Sequence, residues 1–442
     1  MRSPGSPESA PRPREAAFVH PSWCWSRSSL YPCLSLSSVW RPRNKCRVSR
    51  ASRAIGWSVP TSPSDLDPIA LLQQLVRIDS VNPDLVPGAA GEGELALWCA
   101  DWLLSRGFAV SVLEHTLGRP SVVGVKRGTG GGRSIMLNAH LDTVGVATYD
   151  GDPFGGELVD GRVFGRGAID TKSGLAGILV AAARASVLPL AGDIVVTLVA
   201  DEEFGSLGTE EVLRTYRADA AIIVEPSGLE LTTAHRGFAW FELTLTGLAA
   251  HGSQPGLGVD AIAHAGLALQ ALDALRERLE SGPAHPTLGY GAVRVSMISG
   301  GDDAATVAAS CVLTLERRML PGESPNDVEA ELRELFTDLA GRVSGFRFDL
   351  TRLVARGAFE AEVECPILRA LTQNATRTLG REPATRGEPF WTDAGLVLEA
   401  GIPCVVFGAT GDGLHADTEW VDAASVVDLA DILEGTIADF CR

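Results

Sequence analysis

Acidic and histidine side chains recur at turn positions over about 275 residues of this chain. Each follows an apolar run or lies in a glycine-rich turn, and together they are His140, Asp142, Asp170, Glu202, Glu203, Glu225 and His415. Five of these could bind two metal ions, which leaves one carboxylate as a base and one to orient a ligand. The set therefore predicts a two-metal hydrolase site.

His140 and Asp142 follow the apolar run 135–137. Because side chains alternate along a strand, both would point to the same side. One ring nitrogen of His140 could then bind metal while Asp142 holds the other. Taken alone, so short a motif is more often an ordinary surface turn.

Asp170 lies in the glycine-rich segment 165–174. Glycine adopts positive φ and lets the backbone approach a cation closely, and a carboxylate there could bridge two cations. The alternative is that Asp170 only caps the following helix.

Glu202, Glu203 and Glu225 each follow an apolar run that predicts a strand. In open α/β sheets, sites form beyond the carboxyl ends of strands. Together with Asp201, the first two make a run of three acids, which repel one another unless a cation or a proton neutralises them. The alternative is a solvated acidic turn.

The elements that must position these residues form two patterns. Alternating strands and helices predict an α/β domain with a mixed, largely parallel sheet, in two parts at 61–236 and 351–442. Between them, residues 237–350 contain two predicted helices and strands with one solvent-exposed face, which predict an inserted α+β sandwich.

Residues 1–60 carry ten basic residues against Glu8 and Glu15, with no sustained periodicity. We predict that this leader is not part of the fold. It is either an over-extended translation start, which we prefer, or an organellar transit peptide.

Composition narrows the function further. The net charge of −17 disfavours nucleic acid as a partner. The sequence has no uncharged apolar stretch of about 18 residues, so it does not predict a membrane span. Beyond the leader the cysteines are scattered without a C-x-x-C pair, which favours a reducing compartment, the cytoplasm, over a disulfide scaffold.

Five motifs together resemble the family of dinuclear metallohydrolases that contains acetylornithine deacetylase, succinyl-diaminopimelate desuccinylase and carboxypeptidase G. The resemblance covers about residues 66–440, and the motifs are 138–144, 165–174, 201–206, 225–227 and His415-Ala416. It implies a zinc-peptidase-like catalytic domain and an inserted dimerisation domain.

The resemblance also implies ligands for two divalent ions. His140, Asp170 and Glu225 would bind one ion, and Asp170, Glu203 and His415 the other. Ligands of this kind suit Zn²⁺, with Co²⁺ or Mn²⁺ as alternatives.

Further roles follow from the same resemblance. Glu202 would be the general base and Asp142 would orient the metal-binding histidine. His251, in the motif 249–255, would reach the active site of a second subunit as an oxyanion donor, which implies a homodimer. Arg318 would grip a substrate carboxylate, although an ordinary strand-end charge is equally expected.

Two departures bear on the substrate. Residues 306–309 lack the Asn-Val-Val-Pro-like run that relatives often carry before the strand of Arg318, which removes one expected polar substrate contact. The loop 389–396 lacks the arginine that desuccinylases place after the aspartate, which counts against succinyl-diaminopimelate as the substrate. Thr392 and Asp393 in that loop are candidate substrate contacts, and Trp391 beside them is expected in an acyl pocket or in the core.

These observations predict a dinuclear metal-dependent amidohydrolase that cleaves an N-acyl amino acid, as acetylornithine deacetylase does. A carboxypeptidase, a dipeptidase or a succinyl-diaminopimelate desuccinylase of the same fold is the nearest alternative. A non-catalytic binding protein would have lost Glu202 or a ligand, and a serine hydrolase would need a G-x-S-x-G elbow, which the sequence lacks.

Overall fold

The computed structural model describes residues 66–442. The predicted leader, residues 1–60, lies outside this range. Nine α-helices lie within it: α1 (Pro68–Val76), α2 (Gly93–Ser105), α3 (Ser173–Ala185), α4 (Leu207–Leu213), α5 (Ala261–Glu280), α6 (Pro325–Arg342), α7 (Pro366–Leu379), α8 (Ala394–Glu399) and α9 (Ala423–Phe440).

The described range also contains seventeen strands. They are β1 (Ala109–Leu113), β2 (Ser121–Lys126), β3 (Ile135–His140), β4 (Glu157–Val159), β5 (Arg162–Phe164), β6 (Ile194–Val199), β7 (Ala220–Ile223), β8 (Leu231–His235), β9 (Gly237–Thr246), β10 (Ala292–Gly300), β11 (Ser310–Met319), β12 (Phe348–Arg356), β13 (Phe359–Glu360), β14 (Thr385–Glu388), β15 (Cys404–Val406), β16 (Gly411–Asp412) and β17 (Trp420–Asp422).

The largest sheet has nine strands in the order β1-β2-β6-β3-β7-β15-β8-β13, with β14 also paired to β8. Its centre, β6-β3-β7-β15, is parallel, and β1-β2, β2-β6 and β8-β13 pair antiparallel. The predicted α/β class with a mixed sheet is thus confirmed. Because the central strands are parallel, their carboxyl ends meet at one edge, where β3 ends at His140.

Helices cover both faces of this sheet. Along β3, Ile135 and Leu137 join a core with α1, α3, α7 and α9, whereas Met136 joins a second core with α4 and α8. This alternation follows from the two-residue period of a strand. All six residues of β3 are buried, so the strand holds its last side chain rigidly.

A separate four-stranded antiparallel sheet, β10-β11-β9-β12, lies within the segment that was predicted to be an insert. Its inward side chains, among them Phe241 and Leu243, pack against α5 and α6 in a core of their own. Asp260 caps α5, and Ser324 forms a capping box with Asp327 at the start of α6. Strand β12 continues to Arg356, beyond the predicted boundary at 350.

A third small sheet, β16-β17-β5-β4, was not predicted. Its strands have only two or three residues, too few to show a period. Within residues 66–442, no helix is long and apolar enough to cross a membrane. The cysteines of this range are free and buried, and they are Cys99, Cys311, Cys365, Cys404 and Cys441.

Candidate active site

Two groups of potential metal ligands meet at the carboxyl edge of the large sheet. One contains His140, Asp170 and Glu225, the other Asp170, Glu203 and His415, and in each group the ligand atoms lie within 4.8 Å of one another. His140 ends β3, and the two glutamates follow β6 and β7. The structure therefore brings together all five residues that the sequence predicted as ligands.

Asp170 belongs to both groups, and its two carboxylate oxygens face different histidines. Oδ1 lies 3.0 Å from Nε2 of His140, and Oδ2 lies 3.5 Å from Nε2 of His415. Nε2 of His415 also lies 3.1 Å from Oε2 of Glu203, and Nε2 of His140 lies 3.7 Å from Oε2 of Glu225. This division suits a carboxylate that bridges two cations.

His140 contacts Asp142 chiefly through the backbone. Nδ1 of the ring lies 2.8 Å from the carbonyl oxygen of Asp142 and 3.7 Å from its Oδ1. The carboxylate of Asp142 instead accepts hydrogen bonds from the backbone N–H groups of Glu202 (3.1 Å) and Glu203 (3.2 Å). Asp142 thus connects the end of β3 with the acidic turn after β6.

The segment that carries Asp170 is held by Glu419, which sequence reasoning missed. Oε1 of Glu419 accepts the backbone N–H groups of Ile169 (3.0 Å) and Asp170 (3.1 Å), and Oε2 accepts that of Gly167 (3.0 Å). Gly167 has a φ of 78°, and a Cβ there would lie 2.6 Å from Cγ2 of Thr143. The predicted need for glycine near Asp170 therefore has a steric cause as well.

Burial and mutual repulsion shift the pKa values of the acidic ligands. Burial, followed by the charge of Asp170, raises the pKa of Glu203 to about 7. Burial also raises the pKa of Glu225 to about 7, against the opposing effect of His140. For Asp170, burial is outweighed by hydrogen bonds from His140 and His415, so its pKa falls below the ordinary value. Hydrogen bonds to Asp170 and Glu203 raise the pKa of His415 to about 10.

The donor set fits two divalent cations. Oε1 of Glu203 and Oε1 of Glu225 are buried without any hydrogen-bond partner among the described residues, although the other oxygen of each faces a histidine. A buried unpartnered carboxylate oxygen is costly unless a cation satisfies it. Imidazole and carboxylate donors are the ligands that zinc and neighbouring divalent metals accept.

Glu202 lies beside the ligands but belongs to neither group. Its carboxylate makes no hydrogen bond to any residue in the range 66–442, and its backbone is fixed by Asp142. Burial, and then the charge of Glu225, raises the pKa of Glu202 well above its ordinary value. A half-buried carboxylate with a raised pKa suits proton transfer.

Two residues that were predicted to act on the substrate, His251 and Arg318, lie outside the two groups of potential ligands. His251 is exposed; its Nδ1 lies 2.8 Å from Oγ of Ser253, and its backbone forms a bridge with Thr306. Among the described residues, His251 has no contact with the ligand groups. Arg318, on β11, forms an ion pair of 2.9 Å with Glu316, and its guanidinium lies over the ring of Phe238.

Thr392 and Asp393 are buried next to the site. Oδ2 of Asp393 accepts a hydrogen bond of 2.6 Å from Oγ1 of Thr209, and its Oδ1 has no partner among the described residues. Burial raises the pKa of Asp393 to about 6. Oγ1 of Thr392 accepts the backbone N–H of Ala394, as at a helix start. Trp391 packs against His235 and Phe238, as expected for a core residue.

Comparisons with known proteins show the family to which this chain belongs. The family model described as peptidase family M20/M25/M40 matches residues 136–439. Acetylornithine deacetylase of Myxococcus xanthus is 31% identical over 331 residues, which cover 73% of this chain and 84% of the relative. N-formyl-4-amino-5-aminomethyl-2-methylpyrimidine deformylase of Bacillus subtilis is 27% identical and covers 84% of this chain and 94% of the relative.

Solved structures share the fold. A tripeptidase from Staphylococcus aureus superposes with a TM-score of 0.70 at 22% identity, over 85% of this chain and 98% of that one. A dinuclear metal-binding peptidase of the M20 family from Bacillus subtilis gives a TM-score of 0.64 at 17% identity, over 84% and 97% of the two chains.

The fold and the paired ligand groups define a hydrolase that acts on amide bonds with the aid of bound metal. This chain belongs to peptidase family M20/M25/M40. The resemblance drawn from the five sequence motifs is confirmed by the family match and by the deacetylase relatives.

Proposed function

We propose that this protein hydrolyses the amide bond of an N-acyl amino acid, in the manner of acetylornithine deacetylase. The observation that carries the proposal is Glu202, a carboxylate without a hydrogen-bond partner in residues 66–442, which is next to the ligand Glu203 and has a raised pKa. The deacetylase relatives, at 27–31% identity over most of the chain, support an N-acyl substrate.

The five ligands would hold two Zn²⁺ ions, and Asp170 belongs to both groups of ligands. When bound, such ions supply Lewis acidity to the scissile carbonyl and to the attacking water. Glu202 would accept the proton that the water loses and deliver it to the leaving nitrogen. Asp142 would fix His140 and, through its carboxylate, the backbone of Glu202.

We also propose that the active enzyme is a cytoplasmic homodimer in which His251 reaches the site of the second subunit. Two observations support this role: His251 is exposed, and within residues 66–442 it makes no contact with the ligand groups of its own chain. The free, buried cysteines support a reducing compartment. Arg318, Thr392 and Asp393 are proposed substrate contacts, and the unpartnered Oδ1 of Asp393 is an available polar atom.

The test is a substrate panel of N-acetyl, N-formyl and N-succinyl amino acids, dipeptides and tripeptides, assayed for amine release. The full chain is compared after chelation and after reloading with Zn²⁺, Co²⁺ or Mn²⁺. Metal-dependent release fastest from an N-acyl amino acid supports the proposal. Faster cleavage of peptides would replace it with a carboxypeptidase or dipeptidase, and no release with any metal would contradict it.

A further inference from the structure

A buried network of polar side chains contacts the acidic turn 201–203, which follows β6. Asp201, the first residue of the turn, is fully buried and has a φ of 71°, in the left-handed region. Its carbonyl oxygen accepts the backbone N–H of Gly205 at 3.0 Å, and its Oδ2 accepts that of Leu207 at 3.4 Å. Asp201 thus fixes the shape of the turn that presents Glu202 and Glu203.

Arg119, just before β2, supplies a positive charge to this network. Its Nη2 donates hydrogen bonds of 2.7 Å to Oδ1 of Asp201 and of 2.7 Å to Oε1 of Glu92. Its Nε donates a bond of 3.0 Å to Oε2 of Glu92, and Nη1 pairs with Asp84. Oε1 of Glu92 in turn accepts the backbone N–H of Asp201 at 3.2 Å. The side chain of Arg119 is only 5% exposed.

Asn82 links this network with the metal-binding edge. Its side-chain amide donates one hydrogen bond of 2.8 Å to Oδ2 of Asp142 and another of 3.1 Å to Oδ1 of Asp201. The backbone N–H of Asn82 donates to the carbonyl of Thr143 at 2.9 Å, so the residue is anchored beside the segment that follows β3. The amide of Asn82 therefore bridges two carboxylates, those of Asp142 and Asp201, whose charges repel each other.

We propose that Arg119 and Asn82 are positioning residues for the proton-transferring Glu202 and the ligand Glu203. Two chains of hydrogen bonds lead to this turn: one from Arg119 through Asp201, and one from Asn82 through Asp142 to the backbone N–H groups of Glu202 and Glu203. The guanidinium and the amide supply the donors that let carboxylates share one buried space. The inference rests on the proposed function for its activity readout, and on metal affinity for an independent one.

Asn82 offers the sharper test, because an isosteric change reverses its chemistry. Asn82→Asp keeps the volume but places an acceptor against two carboxylates, whereas Asn82→Ala removes the donors and adds no charge. We expect kcat to fall by about 10-fold in Asn82→Ala and by more in Asn82→Asp, with KM little changed, the pattern of a misplaced transition-state group. A milder effect of Asn82→Asp would mean that the residue only fills space, and would overturn the proposal. Asn326→Asp, at an exposed asparagine, is the matched control.

Arg119 is tested by removal and chemical rescue. We expect Arg119→Ala to lose about 10²-fold in kcat, and guanidinium at millimolar concentration, but not an equal concentration of sodium chloride, to restore part of it. A lower melting temperature with unchanged kcat well below it would overturn the positioning role. Arg127→Ala, at a side chain that is 75% exposed, is the control. If Arg119→Ala does not fold, the comparison of Asn82→Ala with Asn82→Asp tests the proposal.

Metal binding separates this inference from the proposed function. Zn²⁺ affinity, measured by competition with a chelator, should fall by about 10-fold or more in Asn82→Asp because Glu203 is displaced, whatever substrate the enzyme takes. If the substrate panel fails but this affinity falls, only the proposed function is contradicted. If affinity and kcat are both unchanged, the positioning role is contradicted while the function stands.

Discussion

Arg166 and Glu419, 253 residues apart in the chain, form a buried ion pair in which Nη1 lies 2.8 Å from Oε2. Their side chains are 2% and 1% exposed. Since the same carboxylate accepts the backbone N–H of Asp170, the pair connects the C-terminal part of the chain with the residue shared by both groups of potential ligands.

Glu419→Gln should therefore weaken metal binding, although Glu419 is not itself a ligand. The glutamine side chain lacks the negative charge that compensates Arg166. Its NH₂ group cannot accept hydrogen bonds, so some of the backbone N–H groups around Asp170 lose their acceptor. We expect Zn²⁺ affinity, measured by chelator competition, to fall by about 10- to 100-fold, the usual cost of losing a group that orients a ligand. Glu434→Gln, at a partly exposed pair with Arg184, is the control, and an unchanged affinity in Glu419→Gln would contradict the role.

Substitution of Glu202 and substitution of Glu203 should have different effects on activity and on metal content. Glu202→Gln should reduce kcat by roughly 10²–10⁴-fold, the range for a lost general base, and retain both metal ions. Glu203→Gln should lose metal, because Glu203 belongs to a ligand group and Glu202 does not. Metal content by elemental analysis, beside kcat on the best panel substrate, checks both. Full activity in Glu202→Gln would remove Glu202 from proton transfer.

The clustering of the potential ligands could be predicted from sequence because the chain repeats one local arrangement. His140 ends β3, Glu203 and Glu225 follow β6 and β7, and parallel strands bring their carboxyl ends together. No comparable local signal marks Glu419 or Arg119. Their partners lie about 250 and 82 residues away, so only the folded chain pairs them.

The same limit applied to Asp142. Alternation along a strand predicted that its carboxylate would hold the ring of His140. Strand β3 ends at His140, however, so the alternation does not extend to residue 142. The carbonyl oxygen of Asp142 therefore lies 2.8 Å from Nδ1 of the ring, and the carboxylate accepts a hydrogen bond from the backbone N–H of the acidic turn.

His251→Ala should cut kcat by about 10²–10³-fold, the usual cost of losing an oxyanion donor, with metal content unchanged. The same change at His115, an exposed histidine, is the control. A normal kcat in His251→Ala would end the catalytic role.

Whether His251 acts in the second subunit can be measured by mixing inactive variants. In a twofold dimer, a heterodimer of His251→Ala and Glu202→Gln would carry one complete site only if His251 acts across the interface. Unfolding and refolding an equal mixture should then restore about a quarter of the wild-type activity, because half of the dimers are mixed. No recovery, with mixed dimers verified by differential tagging, would place His251 in its own subunit or remove it from the site.

His235 should make the fold acid-sensitive independently of the metal site. The ring is fully buried, with Nδ1 3.1 Å from the carbonyl of Arg236 and Nε2 unpartnered among the described residues. Burial lowers its pKa from 6.5 to about 4. Below pH 6.5 the unfolded chain binds a proton that the folded chain does not, so this contribution to stability is complete above pH 6.5 and is lost as the pH falls toward 4.

The loss should reach about 3 kcal/mol across that window, since each unit of pKa difference corresponds to about 1.4 kcal/mol. Urea unfolding of the chelated protein at several pH values between 7 and about 4.5 measures it, with wild type compared to His235→Phe, which keeps an aromatic ring beside Phe359 but cannot titrate. Subtracting the two curves removes the contribution of the carboxylates, whose titration both proteins share. His115→Phe, at the surface, is the matched control. The free energy of unfolding should decline less steeply with acid in His235→Phe than in wild type, and parallel curves would show that the buried imidazole does not set this dependence.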